Sequence, residues 1–151
     1  MLILNIVPFL LLLTITQANV NLYVLADNFL NGSAVVVGNY DNVLDNSTLS
    51  IGTDPTYLYY DSRYITYYPG GSPSIWWVLV FNDDRKLELA FRGQDRENMP
   101  GAINVTIGDN GCVAFNGSNS LFYYGNSFYS YPNGGAPYSA IPVNLYAKHM
   151  S

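Results

Sequence analysis

Short aromatic and β-branched runs, each cut off by Gly, Asn, Asp or Pro, recur at intervals of about ten residues, the rhythm of a β-sandwich or barrel. The runs are 21–26, 34–38, 57–60, 64–68, 76–81, 87–91, 103–107, 112–115, 121–124, 128–131 and 143–147. Between them stand Asn31-Gly32, Asp54-Pro55, Pro69-Gly70-Gly71, Asn82-Asp83-Asp84, Pro100-Gly101, Asp109-Asn110-Gly111, Asn116-Gly117 and Asn133-Gly134-Gly135. Such residues turn a chain, because Gly reaches positive φ freely and Asn or Asp bonds its own backbone. Leu87-Glu88-Leu89-Ala90-Phe91 alternates and puts Leu87, Leu89 and Phe91 on one side. No convincing helical periodicity follows residue 18. The expected fold is a single all-β domain over 19–151, a sandwich or barrel of short antiparallel strands.

Two internal similarities refine that expectation. The segment from Tyr59 to Pro73 aligns without gaps on Tyr123 to Pro137, each reading as strand, turn, strand and a Gly-Gly loop closed by Pro. Val20-Asn21-Leu22-Tyr23 recurs as Val143-Asn144-Leu145-Tyr146. A hairpin repeat is therefore a candidate symmetry, and the first and last strands are expected to lie close together. A domain of this length buries roughly two-thirds of its unfolded surface and can be held by its core alone. That is required here, because Cys112 is the only cysteine and cannot form an internal bridge. It reads as a buried filler, with an intermolecular cross-link as the alternative.

The first eighteen residues are uncharged and Leu-rich, and end with Thr16 and Ala18. The pattern is that of a signal peptide over 1–18 with cleavage before Asn19, since its apolar run is short of the roughly 20 residues that span a bilayer. No apolar tail or retrieval signal is read after it, so the expected product is secreted, to the medium or a cell wall, and free of membrane. Four N-glycosylation sequons fit the same route: Asn31-Gly-Ser33, Asn46-Ser-Thr48, Asn104-Val-Thr106 and Asn116-Gly-Ser118. The Asn-Gly contexts of Asn31 and Asn116 favour exposed turns.

Residue chemistry argues against catalysis. His149 is the sole histidine and is expected in a frayed terminus, which leaves a nucleophile without its base and zinc without a ligand set. A glycosidase pair is conceivable from Asp83, Asp84, Glu88, Asp95 and Glu97, but Asp83 and Asp84 read as a hairpin turn and the stretch 95–98 as a polar loop. Asp41, Asp45 and Asp109 follow no calcium-loop spacing. With net charge −5 and six dispersed cations, the chain lacks the basic patch that nucleic acid needs. No catalytic residue, metal or cofactor is expected.

Tyrosine is the stronger lead, with fourteen in the chain. Neighbours in a strand face opposite ways, so pairs such as Tyr59-Tyr60, Tyr67-Tyr68, Tyr123-Tyr124 and Trp76-Trp77 cannot be wholly core. Exposed rings with a polar tip suit sugar faces and protein interfaces. The candidate sugar-contacting residues are Tyr59, Tyr60, Tyr67, Tyr68, Trp76, Tyr123, Tyr124 and Tyr131. The alternative is a sheet that uses Tyr for its β propensity alone.

Leu22-Tyr-Val-Leu-Ala26 with Gly32-Ser-Ala-Val35, Trp77-Val-Leu-Val-Phe-Asn-Asp-Asp84 with Leu87-Glu-Leu-Ala-Phe91, and Phe115-Asn-Gly-Ser118 with Leu121-Phe-Tyr-Tyr-Gly-Asn126 resemble small fungal secreted cell-wall proteins of the phialide-protein type. The resemblance spans most of the mature chain. It departs at the cysteines usual in those proteins, where Gly125 and Ala140-Ile141-Pro142 stand here, so no shared disulfide is expected. It implies a wall or surface role and transfers no catalytic residue. The resulting expectation is a secreted, N-glycosylated, non-enzymatic wall or cell-surface structural protein whose partners are wall polysaccharide or other wall proteins. The competing expectation is a lectin-like carbohydrate-binding module.

Overall fold

The computed structural model describes residues 18–41, 46–68, 77–91 and 99–150. Residues 1–17, all but the last of the segment expected to be a signal peptide, lie outside the described residues, as do Asp45, Trp76, Asp95 and Glu97. The architecture is all-β, as the strand punctuation predicts. In chain order the strands are β1 (Ala18–Leu25), β2 (Ala34–Asp41), β3 (Asn46–Gly52), β4 (Leu58–Tyr60), β5 (Ile65–Tyr67), β6 (Trp77–Phe81), β7 (Leu87–Phe91), β8 (Val105–Ile107), β9 (Val113–Phe115), β10 (Leu121–Tyr124), β11 (Ser127–Tyr129) and β12 (Ile141–Met150).

Seven strands form a barrel-like antiparallel sheet in the order β1-β2-β3-β7-β6-β5-β4. The ring closes where Ala18, Asn19 and Val20 of β1 pair with Tyr60, Tyr59 and Leu58 of β4. Closure removes the unpaired strand edge that would otherwise invite another chain. The opposite edge of β1 pairs with β12 in a continuous register from Asn19↔Met150 to Leu25↔Asn144. The two Val-Asn-Leu-Tyr copies thus sit in adjacent antiparallel strands, and Tyr23 stacks across on Tyr146 at 5.5 Å. From β12 the sheet continues through β10 to β11. There it meets the start of β7, by the Lys86↔Tyr129 bridge and the Ser130 amide donating to the Arg85 carbonyl at 3.0 Å.

The interior follows strand parity. Val20, Leu22 and Val24 of β1, Leu87 and Leu89 of β7, and Val143, Leu145 and Ala147 of β12 all enter one core with Leu49, Leu58, Ile65, Leu79, Leu121 and Phe128. Each fully buried Leu, Val or Phe contributes roughly 1.5–3 kcal/mol. The β8–β9 hairpin packs Val105, Val113 and Phe115 on the same core. Its turn can approach β12 because Gly111 has φ +86 and no Cβ, which would lie 2.9 Å from the Ala147 carbonyl oxygen. A smaller cluster of Tyr64, Val78, Val80, Ala90 and Met99 occupies the other face of β5–β7. This second cluster explains why Trp77 to Val80 are buried on both faces.

Several expectations are corrected or refined. Asn46–Gly52, expected to hold a sequon and no strand, is β3, paired with β2 on one side and β7 on the other. Its inward residues are Ser47, Leu49 and Ile51, so the buried stripe begins with a small polar residue and carries little hydrophobic signal. His149 is no frayed residue: it pairs with Val20 inside β12, its side chain exposed. Glu88 is buried, and Phe91, expected inside with Leu87 and Leu89, ends its strand exposed. The two tyrosine segments are both hairpins, but their registers differ: Tyr60 pairs with Ile65 across four residues, Tyr124 with Ser127 across two.

Candidate functional site

The β10–β11 hairpin is turned by Gly125 and Asn126, both at positive φ (55° and 63°), the geometry of a tight two-residue hairpin loop. Its register pairs Tyr123 with Phe128 on the core side and Phe122 with Tyr129 on the outer side. The outer face therefore gathers Phe122, Tyr124, Tyr129 and Tyr131. Tyr129 and Tyr131 stack at 5.9 Å, Tyr124 meets Tyr129 edge-on at 6.1 Å, and Phe122 meets Tyr131 edge-on at 5.8 Å. Two cations lean on this face. The Arg85 guanidinium carbon lies 5.8 Å from the Tyr131 ring centre, and Lys86 Nζ 5.9 Å from that of Tyr129.

Arg85 is held there by its turn. Asn82 Oδ1 accepts from the Asp84 and Lys86 amides at 2.9 Å each, and the Arg85 amide donates to the Asn82 carbonyl at 2.9 Å. Asn82 Nδ2 in turn donates to the buried Glu88 carboxylate at 3.3 Å. Arg85 itself adopts φ +66, an uncommon conformation for a residue with a Cβ. Beside it opens a cleft of about 330 Å³ lined by Phe81, Arg85, Phe115, Asn116, Ser118, Ser130 and Pro132. That volume lies at the small end of ligand pockets, which span roughly 300–1,000 Å³. Phe81 and Phe115 meet edge-on at 6.4 Å and supply its apolar wall, while Asn116, Ser118 and Ser130 supply polar groups.

The eight candidate sugar-contacting residues divide by parity. Tyr124 and Tyr131 belong to the outer face just described. Tyr59 also faces outward, half-buried, its ring 4.7 Å from Tyr68, which packs against the second cluster. Tyr60, Tyr67 and Tyr123 are half-buried and pack against the main core. Tyr60 is further tied down by donating its hydroxyl to the Val105 carbonyl at 3.1 Å. Burial, assisted by the neighbouring Asp61 charge, pushes its phenol above the usual tyrosine range. Trp76 lies outside the described residues, and its neighbour Trp77 is core. Phe122 and Tyr129 join the outer face without having been among the sugar-contacting candidates, although counting by two from Tyr124 and Tyr131 reaches both.

The sequons also separate. Asn31 and Asn104 are exposed, each using its side-chain oxygen as an acceptor, from the Ala26 amide and from Arg63 Nε respectively. Asn116 is exposed at φ +52 beside Asn104. Its amide donates to the Asn104 carbonyl at 2.8 Å, and its Oδ1 accepts from the Asn104 amide at 2.9 Å. Asn46 differs: it lies in β3, and its Nδ2 donates to Glu88 at 3.1 Å.

Among the described residues no group of three or more His, Cys, Asp and Glu side chains converges as a metal site. Cys112 is half-buried, its sulfur 3.7 Å from Asn119 Nδ2. Asp83 and Asp84 are exposed on a turn, while Glu88, the nearest described candidate partner for them, is engaged by Asn46 and Asn82. No protein-family model, no curated protein and no solved structure matches this chain.

Proposed function

We propose that the chain is exported and serves as an N-glycosylated, non-enzymatic wall or cell-surface protein of the kind its motifs resemble. The observation that carries this reading is the placement of Asn31, Asn104 and Asn116 on exposed turns and loop ends of a closed barrel. Asn46 is the exception. A glycan would be attached to the nitrogen that bonds Glu88, inside a strand paired on both edges, so this sequon stays unmodified in the folded protein.

Glycosidase treatment of the secreted chain should increase its electrophoretic mobility. Asn31→Gln, Asn104→Gln and Asn116→Gln should each remove one step of that shift, and Asn46→Gln none. A secreted chain that glycosidase leaves unshifted overturns the glycoprotein reading. Fractionation of a tagged chain among medium, detergent extract and glucanase-released wall addresses the location, with wall recovery expected.

The second reading, carbohydrate binding, is favoured by one feature: the cleft beside the β10–β11 outer face. An aromatic wall with amide and hydroxyl groups at its rim is the surface that takes a sugar's apolar face and hydroxyls together. Loss of polysaccharide retention in Phe81→Ala, with the fold intact by circular dichroism, is the expected result. Retention equal to wild type removes the cleft from consideration.

A further inference from the structure

Resting on the carbohydrate-binding reading, we infer that the cleft between the 82–85 turn and the 115–118 loop selects an anionic sugar, a uronate residue whose carboxylate is held by Arg85. Arg85 is the one charged lining residue, and its guanidinium forms no ion pair among the described residues. Its only described contacts are backbone bonds within the turn and from Ser130, and the face of Tyr131. A planar guanidinium that forms no ion pair among the described residues is the group best matched to a carboxylate, which it grips through two parallel hydrogen bonds. The Tyr131 ring, 5.8 Å from the guanidinium carbon, attracts the cation without using up its N–H donors.

The rest of the cleft matches a pyranose. Phe81 offers a ring wall to C–H groups, and Ser118 and Ser130 offer donors and acceptors to hydroxyls. Lys86, over Tyr129, adds a second positive charge along the same face and gives a polymeric ligand a place for its next carboxylate. The net charge of −5 does not defeat this attraction. Charges beyond the screening distance, about 8 Å at physiological salt, act weakly. Asp83 and Asp84 share the turn and weaken the local field, yet neither neutralises Arg85 by an ion pair. The Asn82–Glu88 bond acts behind the site as a positioning contact for the turn that presents Arg85.

Calorimetric titration of the full secreted chain tests the inference. Each titration is run on the chain as secreted and on its Asn116→Gln variant, which lacks the glycan at the rim of the cleft. The probes are tetragalacturonate, its methyl ester and neutral laminaritetraose. Tetragalacturonate should bind best, and added salt should weaken it. Arg85→Gln should weaken it by about 3- to 5-fold, the upper range of an exposed ion pair. Arg85→Lys should recover part of the loss, and both variants should melt with wild type. Equal binding of acid and ester, unchanged by Arg85→Gln, overturns the anionic preference and leaves sugar binding standing. Absence of binding to all three probes overturns both.

Discussion

In the β4–β5 hairpin Leu58 is buried and Tyr60 follows it inward, whereas Tyr59 looks out toward Tyr68. In the β10–β11 hairpin Leu121 is buried, Tyr123 follows it inward, and Phe122 and Tyr124 look out. The two segments align without gaps, yet aligned positions face opposite sides. Outward Tyr59 matches inward Tyr123, inward Tyr60 matches outward Tyr124, inward Ile65 matches outward Tyr129, and inward Tyr67 matches outward Tyr131. The anchoring leucine explains the inversion. It stands one place before the tyrosine pair at Leu58 but two places before it at Leu121, and a shift of one residue turns a whole strand over. Similar sequences have therefore produced a covered set of rings in one hairpin and an aromatic face in the other.

The largest expected effect breaks this comparison directly. Ile65→Ala removes a fully buried side chain and should cost about 2–5 kcal/mol in urea unfolding. At the aligned position Tyr129→Ala loses two ring contacts and partial burial, and should cost about 0.5–1.5 kcal/mol. Equal losses would show that the two hairpins share a facing and that the inversion is wrong.

The inversion is legible in the amino-acid sequence, because the spacing of Leu58 and Leu121 from their tyrosine pairs sets the parity of each strand. Tyrosine pairs taken alone group Tyr60, Tyr67 and Tyr123 with the open rings, since a tyrosine does not announce which side it faces. Strand rhythm exposed most of the barrel for a physical reason: turns need Gly, Asn and Pro, and strands between them need apolar stripes. β3 escaped because Ser47 fills an inward position opposite Leu89, so backbone pairing with two neighbours defines the strand more than its own hydrophobicity does. The placement of Arg85 on Tyr131 depends on β11 meeting the start of β7, a contact between segments far apart in the chain that local patterns do not encode.

The turns sharpen the comparison at an intermediate scale. Gly125 has φ +55 with nothing near the position of an added Cβ, so Gly125→Ala meets strain without a clash and should cost about 1–2 kcal/mol. The other hairpin uses an Asp instead. Asp61 accepts from the Arg63 and Tyr64 amides at 3.0 and 2.7 Å and so holds Ser62 at φ +76. Ser62→Gly relieves that strain while loosening the unfolded chain, and the net should be stabilisation by only a few tenths of a kcal/mol. A destabilising result would mean that the Ser62 side chain supports the turn by more than the relieved strain is worth.

The smallest effect concerns Tyr60, whose inward facing raises its phenol. The sign follows from the ionised form being disfavoured in the fold: burial acts first, and the Asp61 charge acts in the same direction. A folded value above the unfolded one, which is about 10, means this contribution to stability is fully present below that pH. It is lost as pH rises through the folded value. Ultraviolet titration of the tyrosines should therefore contain a late component that Tyr60→Phe removes. Unfolding measured in the same alkaline range should show a shallower fall in the variant, although Tyr60→Phe also gives up the hydrogen bond to Val105 and starts slightly less stable. If the late component persists in Tyr60→Phe, the covered ring is another tyrosine and the facing assigned to β4 fails at its most exposed test.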